Sequence, residues 1–300
     1  MAPDEAVSAI DAVASLAASH ENSAPIRHHF ESRRGIPFAR NKALEVARYD
    51  SVEWILFIDD DCVAAPDLLI ELAQVAIDSR PTVVAGGWEI VAAEKPSPWV
   101  PAGVFGTKHY RPDGYDLRQG AHLPTAYTRN VLFNLRDIDA LLPSQLTFNE
   151  AQVHTGGSDV MFFRAVSGAG GTIIYAEKAK VAEIYARERL TLTWHYQRRT
   201  RNTQQKILRS RHTRESVFSL GGLAQAVLGL LWRLPVMAAV LPVSVFSARA
   251  KRWVGATSLT LAPFIAALLL LIGVRFNEYD SESQWRFVTP RRPALTTSGR

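Results

Sequence analysis

The chain has 300 residues, of which 47% are hydrophobic and 21% charged, a composition typical of a globular protein with a sizeable core. Its net charge of +5 suggests an anionic partner, for which acidic lipids and nucleotide diphosphates qualify as well as nucleic acid. The single cysteine, Cys62, excludes an internal disulfide and a cysteine-based zinc site. The N-terminus lacks the basic region of a secretory signal, so we expect the folded part of the chain in the cytoplasm.

Helices and strands alternate along the first part of the chain. Residues 4–19 have the spacing of an amphipathic helix, and residues 37–48 predict a second helix that begins near Pro37. The continuous apolar run 54–58 predicts a strand buried on both faces. A helix at 66–77 and a short strand at 82–87 follow. This alternation predicts the α/β class with a largely parallel or mixed sheet.

The second part begins with a loop rich in proline and glycine at 92–122, a composition and length that favour a functional loop. A helix is predicted from about residue 157 to Gly170, and a strand at 172–175. The character changes after residue 186, because residues 187–214 are rich in lysine and arginine and contain one acid, Glu188.

Two hydrophobic stretches follow. Residues 216–248 carry no charge except Arg233, and Arg233 and Pro235 interrupt the stretch, so it fits a kinked, interfacial or re-entrant helix as well as a span. Residues 253–274 carry no charge and are long enough to cross a bilayer, which takes about 20 residues. Basic residues flank both sides of the first stretch, which conflicts with a two-span hairpin; one span plus an interfacial helix, or two interfacial helices, both fit. We expect the tail from Thr289 to be disordered.

Three consecutive acids, Asp59, Asp60 and Asp61, follow the predicted buried strand. Ligand sites of open α/β sheets lie at that end of the strands. A divalent cation relieves the repulsion among adjacent carboxylates while it binds diphosphate oxygens. Asp59 and Asp61 point the same way in an extended segment and could share one metal ion. The alternative is a solvated turn with helix-capping aspartates.

A fourth acid, Asp159, follows two glycines at the start of a predicted helix. A helix N-terminus keeps a carboxylate ionised, which suits a general base that deprotonates a hydroxyl. The alternative is an ordinary N-cap.

A basic cluster, Arg198, Arg199 and Arg201, lies close to the hydrophobic part of the chain. It could neutralise a diphosphate leaving group, bind anionic headgroups, or form a solvated basic face. His154 and His195 are isolated and are interpreted as structural.

Five segments carry a family resemblance: Gly35–Leu44 with Phe57–Asp61, Thr128–Phe133, Thr155–Asp159, Gly170-Gly171, and Glu188–Thr191 with Trp194 and its arginines. In this order and spacing, over roughly residues 24–205, they resemble family 2 glycosyltransferases of the GT-A fold. The resemblance is greatest to the bacterial exopolysaccharide (succinoglycan-type) glucosyltransferases. Those proteins also tend to end in hydrophobic segments near an Arg-Phe-x-Glu-Tyr-like stretch, here 275–279.

The resemblance implies a GT-A-like mixed, mostly parallel sheet flanked by helices. It implies a metal-dependent (Mn or Mg), inverting transfer of a hexose from a nucleotide diphosphate sugar, expected to be a UDP-sugar. The acceptor would be a polysaccharide or a lipid-linked glycan at the cytoplasmic membrane, with the catalytic domain on the cytoplasmic side.

The same resemblance implies roles for individual residues. Asp61 would be the main metal ligand, and Asp59 would contact the ribose or the metal. Glu183 would replace a metal-binding histidine, and Asp159 would be the base. Arg40 would face the diphosphate and Asn130 would line the sugar or acceptor pocket; the substrate-binding residues implied are Arg40, Asn41, Asp59, Asp60, Asn130, Gly157, Arg198, Arg199 and Arg201.

Two departures from the family pattern stand out. Many relatives have Glu-Asp where this chain has Ser158-Asp159. The two strands that normally open the domain are not recognised before Asp4, so we expect an N-terminally truncated domain with an exposed sheet edge. The alternative function is therefore a non-catalytic, glycosyltransferase-like, membrane-associated binding protein.

The expected organisation is a catalytic domain at 1–205, membrane-associated hydrophobic helices at 206–288 and a tail at 289–300. A nucleic-acid partner is not expected, because the basic stretch 187–214 lacks interleaved aromatics and any recognised module.

Overall fold

The computed structural model describes residues 27–108, 118–153, 156–213, 220–272, 274–275 and 286–287. The helix predicted at 4–19, His154 and the tail from Thr289 lie outside these residues. The stretch 275–279 lies outside them except for Arg275.

The described residues form one six-stranded sheet with helices on both faces and three long helices at the C-terminal end. The strands are β1 (Trp54–Ile58), β2 (Cys62–Ala64), β3 (Val83–Ala92), β4 (Gly106–Lys108), β5 (Asn130–Asn134) and β6 (Ile173–Tyr185), in the order β1-β5-β3-β6-β2 with β4 beside β3. The helices are α1 (Ile36–Tyr49), α2 (Leu68–Ser79), α3 (Leu135–Leu141), α4 (Ser158–Gly168), α5 (Leu192–Thr213), α6 (Leu220–Ser244) and α7 (Ala248–Leu271). The two-residue strands β7 (Val274–Arg275) and β8 (Arg286–Phe287) pair separately.

The sheet is mixed, as predicted, but the expectation that it is mostly parallel is wrong for the described strands. β3 and β6 pair in parallel, whereas β1 with β5, β5 with β3, β2 with β6 and β4 with β3 pair antiparallel. The reason is that β5, between β1 and β3, and the short strands β2 and β4 run opposite to β1, β3 and β6. Of these, β5 is the central one. Its apolar centre is short and is bounded by Asn130 and Asn134, so the hydrophobic pattern did not indicate it as a strand.

Two cores lie on opposite faces of the sheet. Because successive side chains of a strand point to opposite faces, Val83 and Val84 enter different cores. On one face α2 packs through Leu72 and its neighbours, and on the other α1 and α4 pack around Phe133, whose ring centroid lies 5.7 Å from that of Phe163. Full burial of such a side chain contributes about 1.5–3 kcal/mol. The α/β class predicted from alternation is therefore confirmed.

One expectation about burial is wrong. The apolar run 54–58 forms the predicted strand, β1, but its side chains are only half-buried and Ile58 is exposed. Among the described residues β1 pairs on one side only, with β5, so an edge position explains the exposure.

The C-terminal helices pack as a group. α7 lies against both α5 and α6, and α6 continues as a helix through Pro235 and Pro242. Within the described residues, one helical stretch, Ala248–Leu270, is long and apolar enough to cross a membrane. It begins earlier than the uncharged run predicted at 253–274, because the basic residues before Trp253 are part of the same helix.

Candidate functional site

The acidic triplet Asp59–Asp61 joins β1 to β2 and crosses the start of β5. The backbone N–H of Asp59 donates to the carbonyl of Arg129 (3.3 Å), and the carbonyl of Asp61 accepts from the N–H of Ile184 on β6 (3.1 Å). The triplet is therefore held at both ends by backbone contacts to distant strands. Within the turn Asp60 is exposed, whereas Asp59 and Asp61 are half-buried, so the alternative of a solvated turn describes Asp60 and not the other two acids.

A buried carboxylate lies next to the triplet. Glu183 on β6 pairs in register with Cys62, and its side chain is 3% exposed. Arg129 Nη1 lies 3.4 Å from Glu183 Oε2, and Arg189 Nη1 lies 3.4 Å from Glu183 Oε1. Arg189 Nη1 also donates to Asp61 Oδ2 at 2.6 Å. Asp61 and Glu183 thus share one cationic partner.

Asp59 lies between two arginines, one of which is the Arg129 that also contacts Glu183. Arg40 Nη2 is 3.8 Å from Asp59 Oδ1, and Arg129 Nε is 3.7 Å from Asp59 Oδ2. Burial raises the pKa of Asp59; Arg129 and Arg40 oppose this shift, while the negative charges of Asp61 and Asp159 add to it. Arg40 also donates to Ser158 Oγ (3.3 Å), which links the triplet to the first turn of α4.

The acids of the site outnumber its arginines. Asp59, Asp60, Asp61 and Glu183, with Asp159 close by, are five carboxyl groups against the three guanidinium groups of Arg40, Arg129 and Arg189. In the part of the chain that the structure describes, no group of three or more histidine, cysteine, aspartate or glutamate side chains is arranged to hold a metal ion. Glu183 Oε2 is buried and accepts no hydrogen bond, because its contact with Arg129 is an ion pair without hydrogen-bond geometry.

Asp159 lies in the first turn of α4, after two glycines with positive φ (Gly156, 68°, and Gly157, 83°). The N-cap residue is Gly157, so Asp159 is not the ordinary N-cap of the alternative interpretation. Its Oδ1 accepts from the N–H of Val160 at 2.8 Å. Asp159 lies close enough to Asp59 for its negative charge to raise the pKa of Asp59.

Two asparagines predicted to bind substrate have structural contacts in this structure. Asn130 donates to the carbonyls of Gly87 and Ala179, both at 2.9 Å, where the register of β3 and β6 shifts. It also borders a small pocket with Trp88, Tyr127 and Arg129. Asn41 bonds to both the N–H (2.7 Å) and the carbonyl (3.0 Å) of Phe148.

Asn130→Ala is expected to lower the free energy of unfolding by about 1–3 kcal/mol, because two buried carbonyls lose their donor. Urea unfolding followed by circular dichroism measures this. Asn149→Ala, which removes one exposed bond to the N–H of Ala151, is the control and should cost about 1 kcal/mol or less. Equal losses in both variants would contradict a structural role for Asn130.

The basic cluster on α5 divides into different environments. Arg198 donates to the Tyr185 hydroxyl (3.1 Å), and its guanidinium carbon lies 4.9 Å from the Trp194 ring centroid. Arg199 is exposed and Arg201 is half-buried. Arg198 therefore approaches the site through Tyr185, two residues after Glu183, while Arg199 faces solvent.

Two arginines that contact the triplet were not assigned a role from the sequence, namely Arg129 and Arg189. Arg129 lies directly before β5, and Arg189 lies in the short turn before α5. Both positions fall inside the segments that carry the family resemblance. No local pattern distinguishes them from other arginines, because their acidic partners are far away in sequence.

Cys62 and His195 do not act as titrating groups of the site near neutral pH. Burial raises the pKa of the Cys62 thiol to about 12. The positive charge of Arg129 opposes this shift and the nearby acids add to it, so the thiol stays protonated near neutral pH. The ring of His195, on α5, packs between the ring of Tyr185 at the end of β6 and the ring of Trp194 on α5.

Burial, with a smaller effect from Arg198, lowers the pKa of His195 from 6.5 to about 4. Between pH 6.5 and 4 the unfolded chain therefore binds a proton that the folded chain does not, and stability should fall as the pH falls through this window. Urea midpoints at pH 7, 6, 5 and 4 measure the slope. His195→Gln should flatten it and His28→Gln, at an exposed position, should not; an unchanged slope in His195→Gln would contradict the assignment.

Comparison with known proteins agrees with the resemblance read from the sequence. Residues 3–138 match the family model Glycosyl transferase family 2. The matched region contains the triplet, Arg40 and Arg129. Asp159, Glu183 and Arg189 lie beyond it and join the site through the fold.

The chain also has distant similarity to a curated protein, "Succinoglycan biosynthesis protein ExoM" of Rhizobium meliloti (strain 1021). The two are 28% identical over 169 residues, which cover 56% of this chain and 51% of the relative. The alignment thus spans about half the length of that relative.

Proposed function

We propose that the protein is a glycosyltransferase that transfers a hexose from a nucleotide diphosphate sugar to a glycan acceptor. One observation carries the proposal: the acidic triplet, the buried Glu183 and three arginines meet at one point, with Asp159 close by. This arrangement suits a diphosphate and a hydroxyl group that must lose its proton. The family 2 domain match supports the same class of reaction.

The donor would bring a divalent cation, Mn or Mg, with its diphosphate. Asp61 and Glu183 fit such an ion, because their oxygens already lie against one positive charge and Glu183 Oε2 has acceptor capacity left. When bound, such an ion would supply charge stabilisation for the nucleoside diphosphate leaving group. Arg40 and Arg129 would then neutralise phosphate oxygens or keep Asp59 ionised.

Asp159 would take the proton of the acceptor hydroxyl, and a direct attack on the sugar would invert its anomeric centre. The position of the Asp159 carboxyl group in the first turn of α4, close to Asp59, supports this role. Inversion follows if one displacement occurs without a covalent intermediate.

The acceptor would be a polysaccharide or a lipid-linked glycan at the cytoplasmic face of the membrane, and the donor a UDP-sugar. The name of the similar Rhizobium meliloti protein refers to succinoglycan biosynthesis, which supports an exopolysaccharide role. The apolar C-terminal helices support membrane association.

The test uses the full chain with a panel of UDP-hexoses and membrane lipid extract as acceptor source, in Mn, Mg or EDTA. We expect metal-dependent UDP release and a labelled glycan product for the wild type, and loss of both for Asp61→Ala. Asp67→Asn, an exposed acid directly before α2, is the matched control. Equal turnover in wild type and Asp61→Ala would refute the catalytic assignment.

A second candidate is a non-catalytic, membrane-associated binding protein of the same family. The ion pairs that Arg189 makes with Asp61 and Glu183 favour it, since they place a positive charge where a metal ion would have to bind. Calorimetry with UDP and Mn distinguishes the two candidates when combined with the transfer assay. Binding without transfer across the whole donor panel would select this candidate.

A further inference from the structure

Helices α6 and α7 leave a large apolar surface uncovered by the rest of the described chain. Phe246, in the turn between them, is 92% exposed, and several apolar side chains in the C-terminal half of α6 are exposed as well. We call this the hairpin surface; its larger exposed side chains include Leu231, Leu234, Leu241, Val245, Phe246 and Leu268. Contiguous apolar area of this kind marks an interaction site, and a helix that is apolar all round needs a non-aqueous environment.

Helix α7 is attached to the rest of the protein near both of its ends. Near its start, Gly255 lies so close to the carbonyl of Trp99 that a Cβ atom would overlap the oxygen. Near its end, Gln204 Nε2 of α5 donates to the carbonyls of Ala266 (3.4 Å) and Val274 (3.1 Å). Gln204 is fully buried in this contact.

Helix α5 runs alongside α7 in the same direction. Leu192 lies beside Gly255, and Gln204 lies beside Ala266, so the two helices stay together for roughly 17 Å at 1.5 Å per residue. Three cations of α5 fall within this stretch: Arg198, Arg199 and Arg201.

A transmembrane position for α7 would therefore carry α5 into the hydrocarbon. Each arginine at the centre of a bilayer costs about 2.5–3.5 kcal/mol even on the lowest scale. A position parallel to the membrane avoids this cost, because the hairpin surface enters the acyl region while α5 stays on the aqueous side.

The charges around the hairpin surface select the lipid. Residues 220–272 contain Arg233, Arg249, Lys251 and Arg252 and no acidic residue. Arg249 and Arg252 are exposed at the start of α7, beside the turn that holds Phe246. A basic residue near an anionic membrane surface contributes about 1 kcal/mol to binding.

We propose that α6 and α7 dock flat on an anionic bilayer, with the hairpin surface inserted in one leaflet and neither helix crossing the membrane. The same helix that supports α7 carries Arg198, which contacts Tyr185 beside Glu183. The docked hairpin would thus hold the site near the membrane surface. The proposal concerns attachment alone and is tested without any activity measurement.

The topology is tested with single fluorophores. In a Cys62→Ala background, the environment-sensitive dye NBD is attached to Phe246→Cys, Ile272→Cys or, as reference on α3, Arg136→Cys. The full chain is reconstituted in vesicles of phosphatidylcholine with 30% phosphatidylglycerol, and vesicles with the domain outside are collected through an N-terminal tag. External dithionite should quench all three dyes to the same extent.

Protection from dithionite until detergent is added would overturn the proposal. Protection at residue 246 indicates that both helices cross, and protection at residue 272 indicates that α7 crosses alone.

The lipid preference is tested by flotation with the same vesicles and with pure phosphatidylcholine vesicles. Arg249→Gln with Arg252→Gln should weaken partitioning to the anionic vesicles by roughly 30-fold, since two charges contribute about 2 kcal/mol. Arg136→Gln with Arg164→Gln removes the same charge from exposed positions of the domain and should leave partitioning unchanged. Equal binding to neutral and anionic vesicles would overturn the assignment of an anionic surface.

Discussion

Asp159→Asn is expected to slow sugar transfer by about 10²–10⁴-fold, the usual contribution of a positioned general base. The substitution keeps the shape of the side chain and its bond to the N–H of Val160 but removes the proton acceptor. Binding of UDP and metal should stay close to wild type, because Asp159 makes no ion pair with Arg40, Arg129 or Arg189 among the described contacts. The effect therefore falls on kcat rather than on donor affinity.

The measurement is the initial rate of transfer at saturating donor, beside calorimetry with UDP and Mn. Asp137→Asn is the matched control, because Asp137 is also an acid in the first turn of a helix, α3. Loss of the interaction between an acid and the helix N-terminus lowers the free energy of unfolding by about 0.3–1 kcal/mol, and this loss should be equal in the two variants. A rate within threefold of wild type for Asp159→Asn would eliminate the residue as the base.

Gly255→Ala is expected to lower the free energy of unfolding by about 3 kcal/mol, the upper end of the usual cost of overpacking. The added Cβ would overlap the Trp99 carbonyl oxygen, which is backbone and cannot move aside as a flexible side chain would. α7 would have to shift away from the loop that contains Trp99. The variant should therefore also expose the buried contact between Gln204 and Ala266.

Gly168→Ala is the matched control, because Gly168 is the last residue of helix α4 and its Cβ would face open space. That change should be neutral or stabilise the protein by up to about 1 kcal/mol, as expected for glycine in a helix. Urea unfolding in mild detergent compares the two variants. Equal stability of both would show that α7 does not pack on the domain as described.

Much of the local structure was predictable. The helix expected at 37–48 is α1 at 36–49, and the strand expected at 54–58 has the same bounds in the structure. These predictions depend on where apolar residues recur along the chain. That pattern is local, because it reflects which face of a helix or strand is buried. The acids of the triplet and Asp159 were recognised for the same reason, since each follows a strand or opens a helix.

The partners of these acids were not predictable. Arg189 and Asp61 are separated by 128 positions, and their contact depends on the register between β2 and β6. The role of Asn130 likewise depends on the register shift between β3 and β6, which leaves backbone carbonyls in need of a donor. A periodic pattern shows which face of an element is buried but not which element covers it.

The same limit applies to the hydrophobic end of the chain. Length and composition alone make α7 a candidate span, and the sequence left spanning and interfacial arrangements open. The packing of α7 against the charged helix α5 supports the interfacial one, because burying those arginines in hydrocarbon is costly. By itself the sequence determined the α/β class, the acidic residues and the resemblance to family 2 glycosyltransferases, since these depend on local order. The tertiary structure decided which cations face the triplet and what lies beside α7, because those contacts join residues that only folding brings together.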